Sequence, residues 1–337
     1  MARASSKTPT PRLSRLRSAR SSRRNWKARS VAFGAFGSTA TSAVPVEPAV
    51  RRRSPVALFL LLPGILYLAL FFLAPLFSLI LTSLQQPSLT GDIGAYETAF
   101  RWENYTTVIT QYGEHIVRSF SYAAIATIAA LLFSYPLAYF IGVKLRPFPL
   151  MQALALTLVI APFFISFLLR TLAWKQILSD DGFFVTSLKA VSLMAPDAHI
   201  TGEPIAVIFG LTYNFIPFMT LPIYTSLEKL DLRYVEAGND LYASPARTFF
   251  AITLPLSAPG VISGMLLTFI PAAGDYVNAS RDFLGSTETP MIGNVIEANF
   301  LVLQNYPAAA ALSIVLMATI LVLVAIYVKR SGTEELI

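Results

Sequence analysis

The stretch 228-EKLDLRYVEAGNDLYASPARTFFAITLPLSAPG-260 joins two long charge-free segments and is itself patterned like two short helices. Apolar side chains recur at helical spacing in its first half, at Leu230, Tyr234, Ala237 and Leu241. Glu236 and Asp240 lie four residues apart on one polar flank of that helix. Ser244 and Pro245 match an N-cap followed by a first-turn proline, which predicts the start of a second helix. The stretch therefore predicts a helix-turn-helix knob that is too polar to cross a membrane.

Charged residues are scarce in this chain of 337 residues, of which 13% are charged and 55% are hydrophobic. Soluble domains carry about 25% charged residues, so the composition indicates a membrane protein. Six stretches contain no charged residue, and each exceeds the ~20 residues that a helix needs to cross a membrane. They are 56–84, 119–143, 147–169, 204–227, 248–274 and 298–328. We therefore predict an all-α integral membrane protein with six transmembrane helices and the knob between the fourth and the fifth.

The loops on the two sides of the predicted membrane differ in their basic residues. If the N-terminus is cytoplasmic, the inner loops and span ends carry ten Lys or Arg, excluding the distal tail, and the outer ones carry five. The positive-inside rule then places both termini and the knob in the cytoplasm. Most acidic residues face outward in this orientation, and Asp275 lies at the outer end of the fifth helix. We expect a multi-pass protein of the inner or plasma membrane.

The N-terminal segment differs from the rest of the chain in charge and pattern. Residues 1–53 hold 13 basic residues and one acid, so the net charge of +7 arises in this tail and does not indicate a general nucleic-acid-binding protein. They lack apolar periodicity, which predicts a disordered cytoplasmic tail that contacts anionic lipid. Residues 22–27, SRRNWK, leave open an alternative, a twin-arginine export signal. The permease domain is predicted over residues 54–330, with a short cytoplasmic tail at 331–337.

A further short helix is predicted between the third and fourth spans. Phe184, Leu188 and Val191 follow an i, i+4, i+7 pattern with polar residues between them. This spacing is typical of an amphipathic helix that lies in the membrane interface.

The knob resembles the coupling loop of ABC importer permeases. Eight positions match that family's pattern in register: Glu236, Ala237, Phe249, Ile252, Leu254, Pro255, Pro259 and Gly260. The resemblance implies a type I ABC importer permease fold with cytoplasmic coupling helices. It also implies that the knob contacts an ATPase subunit through Glu236, Ala237, Gly238, Asp240, Leu241, Tyr242 and Ala243.

Two positions depart from the family pattern. Gly238 stands where the pattern has a second alanine, and Tyr242 stands where it has a glycine. Glycine would supply a positive φ between the two helices, a conformation that is strained for tyrosine. Either the turn is made differently, with Asn239 or Gly238, or this half of the knob lies at a changed angle.

Other motifs resemble the spermidine/putrescine type of permease, over about residues 54–330. They are Arg170-Thr-Leu-Ala-Trp174 with Asp181-Gly182, Tyr213-Asn-Phe-Ile-Pro-Phe-Met219, Phe269-Ile-Pro-Ala-Ala-Gly-Asp-Tyr276, Met291-Ile-Gly-Asn294 and Ser134-Tyr-Pro-Leu-Ala-Tyr139. The pattern best suits the first of that family's two permease subunits. The resemblance implies a heterodimer with a second permease, an ATPase dimer and an extracytoplasmic solute-binding protein. It implies import of a polyamine, with other small solutes (iron, thiamine or phosphonate) as the alternative.

The sequence gives no indication of an enzyme. It contains no G-x-x-x-x-G-K-[ST] motif to cradle a nucleotide's phosphates, so we expect ATP and Mg to be bound by a partner ATPase and no cofactor in this chain. His115 and His199 lie in separate outer loops, which argues against a metal site. An ion-coupled secondary transporter remains a less favoured alternative, because broken helices are its only visible feature here.

Five residues are candidates for the translocation pathway. Arg170 is a strong charge at the outer end of the third predicted span, and it either lines the pathway, reaches the interface or pairs with Asp275. A polyamine carries positive amines, for which carboxylates and aromatic faces are suitable partners. On this ground Asp275, Tyr276, Tyr213 and Trp174 complete the set, although each aromatic residue could equally serve ordinary packing.

Overall fold

The computed structural model describes residues 55–88 and 93–330, and most of them are helical. The tails predicted at 1–53 and 331–337 lie outside the described residues. The chain divides into two compact units, Met1–Gly64 and Ile65–Ile337, and of the first only residues 55–64 are described.

The helices follow one another with short connections. In the first half they are α1 (Pro55–Leu68), α2 (Ala74–Ser83), α3 (Glu103–Tyr139), α4 (Pro149–Ile160), α5 (Phe167–Leu178) and α6 (Phe183–Ala190). In the second half they are α7 (Pro204–Glu228), α8 (Arg233–Asp240), α9 (Pro245–Thr248), α10 (Leu254–Leu256), α11 (Ala258–Ala273), α12 (Ile292–Glu297) and α13 (Tyr306–Arg330). Wider π-helical turns occupy Ala69–Leu73, Phe140–Lys144, Phe249–Thr253 and Ala298–Val302. Two short antiparallel strands, β1 (Gln86–Pro87) and β2 (Tyr96–Glu97), form the sheet of the described chain.

Within residues 55–88 and 93–330, four helices are long and apolar enough to cross a membrane unbroken. They are Phe59–Ser83, Glu103–Lys144, Pro204–Glu228 and Tyr306–Arg330. Two further pairs of helices qualify only if each bent pair counts as one span, which brings the number to the predicted six. The all-α prediction is thus confirmed, and the third and fifth of the predicted spans are each a pair of helices joined at a bend.

The third span is broken in its middle. Pro149–Phe164 and Phe167–Ala190 meet at 93°. Pro162 cannot donate a backbone hydrogen bond, and the helix tightens there into a 3₁₀ turn before the chain extends at Ile165 and Ser166. The absence of charged residues from 147–169 does not locate this break, because hydropathy carries no information about the direction of the helix axis.

The fifth span is bent where it enters from the knob. Pro245–Leu256 and Ala258–Ala273 meet at 65°. The bend falls at Ser257, whose buried hydroxyl lies 2.7 Å from the hydroxyl of Tyr135 in α3. The Ser257 hydroxyl also donates a hydrogen bond of 3.1 Å to the carbonyl of Leu254, so a side chain satisfies a backbone group at the bend.

The sixth span begins later than the charge-free stretch. Residues 298–302 continue α12 as a π-helical turn, and the spanning helix α13 starts only at Tyr306. Gln304 between them has a φ of +50°, and the Asn305 side chain accepts a hydrogen bond of 3.3 Å from the amide of Ala308. An N-cap of this kind favours a new helix over continuation of the old one.

The core of the bundle lies between α3, α7 and α11. Gly260 and Gly264 lie one helical turn apart on α11 and let it approach α7 closely. A Cβ at Gly260 would lie 2.6 Å from the carbonyl oxygen of Pro222, and one at Gly264 would lie 2.9 Å from the sulfur of Met219. Small residues at this spacing allow membrane helices to pack backbone to backbone.

The predicted helix between the third and fourth spans is present as α6. Its fully buried side chain is Val185, whereas Phe184 and Val191 are exposed. Val185 therefore packs against the protein, and the placement of the helix in the membrane interface stays a prediction.

Candidate functional site

The coupling knob, residues 228–260, has the two helices that its sequence predicts. The carboxylate of Asp231 accepts a hydrogen bond of 3.0 Å from the amide of Arg233 at the start of α8. The hydroxyl of Ser244 accepts one of 3.3 Å from the amide of Arg247 and caps α9, with Pro245 in its first turn. Both helix starts therefore follow from the local sequence.

The turn between these helices is made by Tyr242 itself. Its φ is +56°, the left-handed conformation that glycine normally supplies. The amide of Ala243 donates a hydrogen bond of 3.1 Å to the carbonyl of Gly238, which closes the end of α8. The family's turn is thus retained with a strained residue, and neither Asn239 nor Gly238 takes the positive φ.

Gly238 is buried against the second helix of the knob. A Cβ at this position would lie 3.1 Å from the side chains of both Thr248 and Ile252. Alanine at this position would therefore crowd the second helix of the knob, and glycine avoids that contact.

The outer face of the knob is free among the described residues and rich in large side chains. Tyr242 is 99% exposed and Leu241 81% exposed, and Tyr234, Glu236, Ala237 and Asp240 are also exposed. Ala243 is half-buried at the turn. Exposed apolar side chains in a polar loop, beside a carboxylate, are typical of a docking surface for another protein.

The base of the knob is held by Arg146, a residue that the sequence analysis did not single out. Its guanidinium donates hydrogen bonds of 2.9 Å to the carbonyl of Leu230 and 2.6 Å to that of Glu228. The hydroxyl of Tyr224 donates one of 2.5 Å to the Glu228 carboxylate. The loop before α4 is thereby tied to the end of α7, although no local sequence pattern joins the two.

Two of the predicted pathway aromatics lie together. The Trp174 ring packs at 5.1 Å from Tyr213 and at 4.7 Å from Phe209, in edge-to-face geometry. Trp174 also lies against the small cluster of Leu178, Ala206 and Leu284. This arrangement joins α5 to α7 by packing.

Arg170 is buried on α5, with 9% of its surface exposed. Its guanidinium carbon lies 5.8 Å from the centre of the Phe167 ring, and its Nε and Nη1 atoms have no hydrogen-bond partner in the described chain. No ion pair joins Arg170 to Asp275 among the residues that the structure describes. The pairing of Arg170 with Asp275 is therefore not observed, and a role in the pathway or at the membrane interface stays a prediction.

Asp275 belongs to a buried polar network just beyond the end of α11. Its carboxylate accepts hydrogen bonds from the amide of Asn278, at 2.7 Å, and from the side chain of Asn278, at 3.2 Å. Asn278 in turn accepts one from Asn214 on α7, which also contacts Thr171 on α5 at 3.2 Å. Burial raises the pKa of the Asp275 carboxyl to about 6, against the opposing effect of the hydrogen bonds from Asn278.

Tyr276 is placed differently from its neighbour Asp275. It is half exposed and lines a cavity of about 350 Å³ together with Glu297 and Phe300. Glu297 was not among the candidates, because one acid in an outer loop carries no distinguishing sequence pattern. The structure brings it to Tyr276 through the fold of residues 275–297.

An exposed ion pair joins residues between α5 and α7. Asp180 lies 2.7 Å from the Nδ1 atom of His199 and 3.3 Å from the ammonium of Lys189. The hydrogen bond from His199, with Lys189 nearby, lowers the pKa of Asp180. His199 thus has a local partner, as its sequence context suggested.

Comparison with known proteins identifies the family. No family model matches the chain. The spermidine/putrescine transport system permease protein PotB of Escherichia coli is 36% identical over 270 residues, which cover 79% of this chain and 94% of that protein. PotB of Haemophilus influenzae is 37% identical over 230 residues, 68% of this chain and 79% of that protein. This chain belongs to the PotB family. The inner membrane ABC transporter permease protein YdcU of Escherichia coli, 28% identical over 240 residues, is a more distant relative of this PotB-family chain.

Solved structures confirm the fold. A subunit of a bacterial ABC transporter that imports the acidic polysaccharide alginate superposes with a TM-score of 0.61, covering 83% of this chain and 96% of that one, at 18% identity. The predicted ABC importer permease fold is therefore confirmed. The PotB-family chain is a multi-pass transport subunit of the inner membrane and not an enzyme.

Proposed function

We propose that this chain is the first permease subunit of an ATP-driven importer that moves polyamines such as spermidine and putrescine into the cytoplasm. The observation that carries the proposal is the 36% identity to PotB of Escherichia coli along 94% of that protein's length. The orientation proposed for this function places the coupling knob and both termini in the cytoplasm, as the distribution of basic residues favours.

The energy for transport is proposed to come from an ATPase dimer that binds the coupling knob. Its exposed face presents the Glu236 carboxylate next to the apolar side chains of Leu241 and Tyr242. If a groove on the ATPase buries the apolar pair, that burial supplies binding energy. The Glu236 carboxylate then fixes the orientation in which the knob binds. ATP and Mg are then bound by the ATPase, while this chain transmits the motion.

The remaining proposed partners are a second permease, which completes the pathway as a heterodimer, and an extracytoplasmic solute-binding protein, which delivers the solute. A related fold supports the latter, because the alginate transporter, at a TM-score of 0.59 and 16% identity, has been solved in complex with a ligand-bound periplasmic protein. Membrane lipids surround the exposed apolar helices.

The five pathway candidates are retained as proposals, with different expected roles. Trp174 and Tyr213 brace α5 against α7, and Arg170 and Asp275 lie buried beside the same helices. For Asp275 we expect that Asp275→Asn reduces polyamine uptake strongly and leaves assembly with the ATPase intact. Unchanged uptake would remove this residue from the pathway.

The proposal is tested by transport in reconstituted vesicles. The complex of this chain with its partners is offered labelled spermidine, putrescine, thiamine, ferric iron and a phosphonate in turn, with and without ATP inside the vesicle. We expect ATP-dependent uptake of spermidine and putrescine only. Uptake of one of the other solutes in place of the polyamines would assign the chain to that solute, and uptake driven by an ion gradient without ATP would contradict an ABC importer.

A further inference from the structure

The cavity beside Tyr276 has a carboxylate in its wall that no described cation neutralises. Glu297 is half-buried, and none of the ion pairs among the described residues involves it. The helix that carries it, Ile292–Val302, is apolar apart from Asn294, Glu297 and Asn299, and it packs near the outer ends of α3 and α13. A carboxylate that has no cationic partner among the described residues and lines an open cavity is available to a cation that enters the cavity.

The backbone around Glu297 is built to present it to this cavity. The residues that follow form the π-helical turn Ala298–Val302, a feature that is frequent at functional sites. Asn299 fixes this turn from the buried side, because its side chain donates a hydrogen bond of 2.8 Å to the carbonyl of Val295. Glu297 and Phe300 then line the opposite, open side.

Aromatic and polar groups surround the carboxylate. Tyr276 and Phe300 line the same cavity of about 350 Å³, a volume within the usual range for small-molecule sites. A second cavity of about 480 Å³ shares Phe300 in its wall and adds the polar side chains of Gln85 and Tyr306. The Phe300 and Tyr306 rings lie 5.3 Å apart, edge to face.

We infer that Glu297, Tyr276 and Phe300 form a binding site for an ammonium group of the transported solute. The Glu297 carboxylate accepts charge-assisted hydrogen bonds from the ammonium, and the aromatic faces attract the same cation. The methylene chain of a linear polyamine lies across Phe300, and its next amine reaches the oxygen atoms of Gln85 and Tyr306 in the second cavity. This inference rests on the proposed polyamine function, since it assigns a subsite for that solute.

Occupancy of the site is tested on the wild-type complex by chemical labelling. A water-soluble carbodiimide with an amine tag modifies accessible carboxylates, and the rate at Glu297 is followed by mass spectrometry. Because the primary amines of spermidine also react with activated carboxyl groups, the rate at Glu297 is divided by the rate at Glu288, an exposed carboxylate that meets the same competition. We expect spermidine to lower this ratio at least fivefold and 1,4-butanediol, the uncharged control, to leave it unchanged. An equal ratio with spermidine and with butanediol would overturn the inference.

Function of the site is tested by Glu297→Gln, which keeps the shape of the side chain and removes its charge. We expect uptake of spermidine to fall at least tenfold while ATP hydrolysis stimulated by the solute-binding protein stays within twofold. The matched variant Glu288→Gln should keep uptake within twofold of wild type. Equal losses of uptake and ATP hydrolysis in Glu297→Gln would indicate a structural role and contradict the inference.

The two levels of proposal fail in different ways. If the wild-type complex transports no polyamine, the proposed function fails. If it transports polyamines and Glu297→Gln does so at the same rate, the function stands and only the subsite is wrong. A lipid chain or a side chain of the second permease in this cavity would give the second result.

Discussion

The amide of Ala243 donates a hydrogen bond of 3.1 Å to the carbonyl of Gly238, five residues earlier, across the positive-φ residue Tyr242. A bond of this span is the mark of a helix end that normally uses glycine at the turn. In this chain the turn keeps its positive φ with tyrosine in place of glycine, so Tyr242 carries the backbone strain. The same residue is almost fully exposed, so no packing within the described chain compensates for the strain.

Replacing this tyrosine by glycine should therefore stabilise the knob. A left-handed conformation costs a non-glycine residue about 1–2 kcal/mol, which glycine avoids. The greater freedom of glycine in the unfolded state offsets about 0.4–1 kcal/mol of this stabilisation. We expect Tyr242→Gly to raise the stability of the purified chain by about 0.5–1 kcal/mol in thermal unfolding without the ATPase. Tyr242→Ala, which keeps the positive φ, is the control and should show no such gain. A lower unfolding temperature for Tyr242→Gly would mean that the turn is not strained.

Reversing the charge on the exposed face of the knob should uncouple transport. Glu236→Lys leaves the fold unaffected because the side chain is exposed. We expect the variant to reach the membrane at the wild-type level, to retain less than a tenth of the ATPase in co-purification and to lose uptake. Glu288→Lys, the same exchange on the outer side, should behave as wild type. Normal uptake by well-expressed Glu236→Lys would remove the knob from the coupling interface.

Adding one methyl group at Gly260 should disturb the contact between α7 and α11. A Cβ there would lie 2.6 Å from both the carbonyl oxygen of Pro222 and the Cβ of Ser226, so the helices have to separate. Overpacking of this kind costs about 1–3 kcal/mol, and we expect Gly260→Ala to lower the unfolding temperature accordingly. Gly113 in α3 has open space around it and provides the control. Gly113→Ala should be neutral or stabilising, because alanine favours helix.

The buried carboxyl of Asp275 should make stability depend on pH. Its folded-state pKa of about 6 lies above the model value of 3.8, so the folded protein takes up this proton more readily than the unfolded chain. The cost of the buried charge is therefore fully present above pH 6 and is relieved as the pH falls toward 4. Between pH 7 and pH 5 this group should add about 1 kcal/mol of stability. Thermal unfolding at both pH values should show that Asp275→Asn lacks this increment, and an unchanged pH dependence would contradict the assignment.

The number of membrane spans and the helix start at Ser244-Pro245 were predictable because their causes are local. The N-cap at Ser244 and the first-turn proline at Pro245 favour a helix start whatever the tertiary context. The charge-free stretches mark membrane spans by composition alone. The breaks were not predictable in the same way. Pro162 and Pro136 both lie in charge-free stretches, yet the helix ends near Pro162 and continues through Pro136, because tertiary neighbours decide whether the freed backbone groups are satisfied.

The sequence by itself determined the all-helical membrane class, the two-helix knob and the family to which the chain belongs, because these depend on spacing along the chain. Only the tertiary structure decided which polar groups meet. It placed Arg146 under the knob and the Glu297 carboxylate beside Tyr276, and it bonded the Asp275 carboxylate to Asn278 without an ion pair to Arg170. These contacts join segments up to 84 residues apart, as between Arg146 and Leu230. Their geometry depends on how whole helices pack, and no local pattern of residue types encodes it.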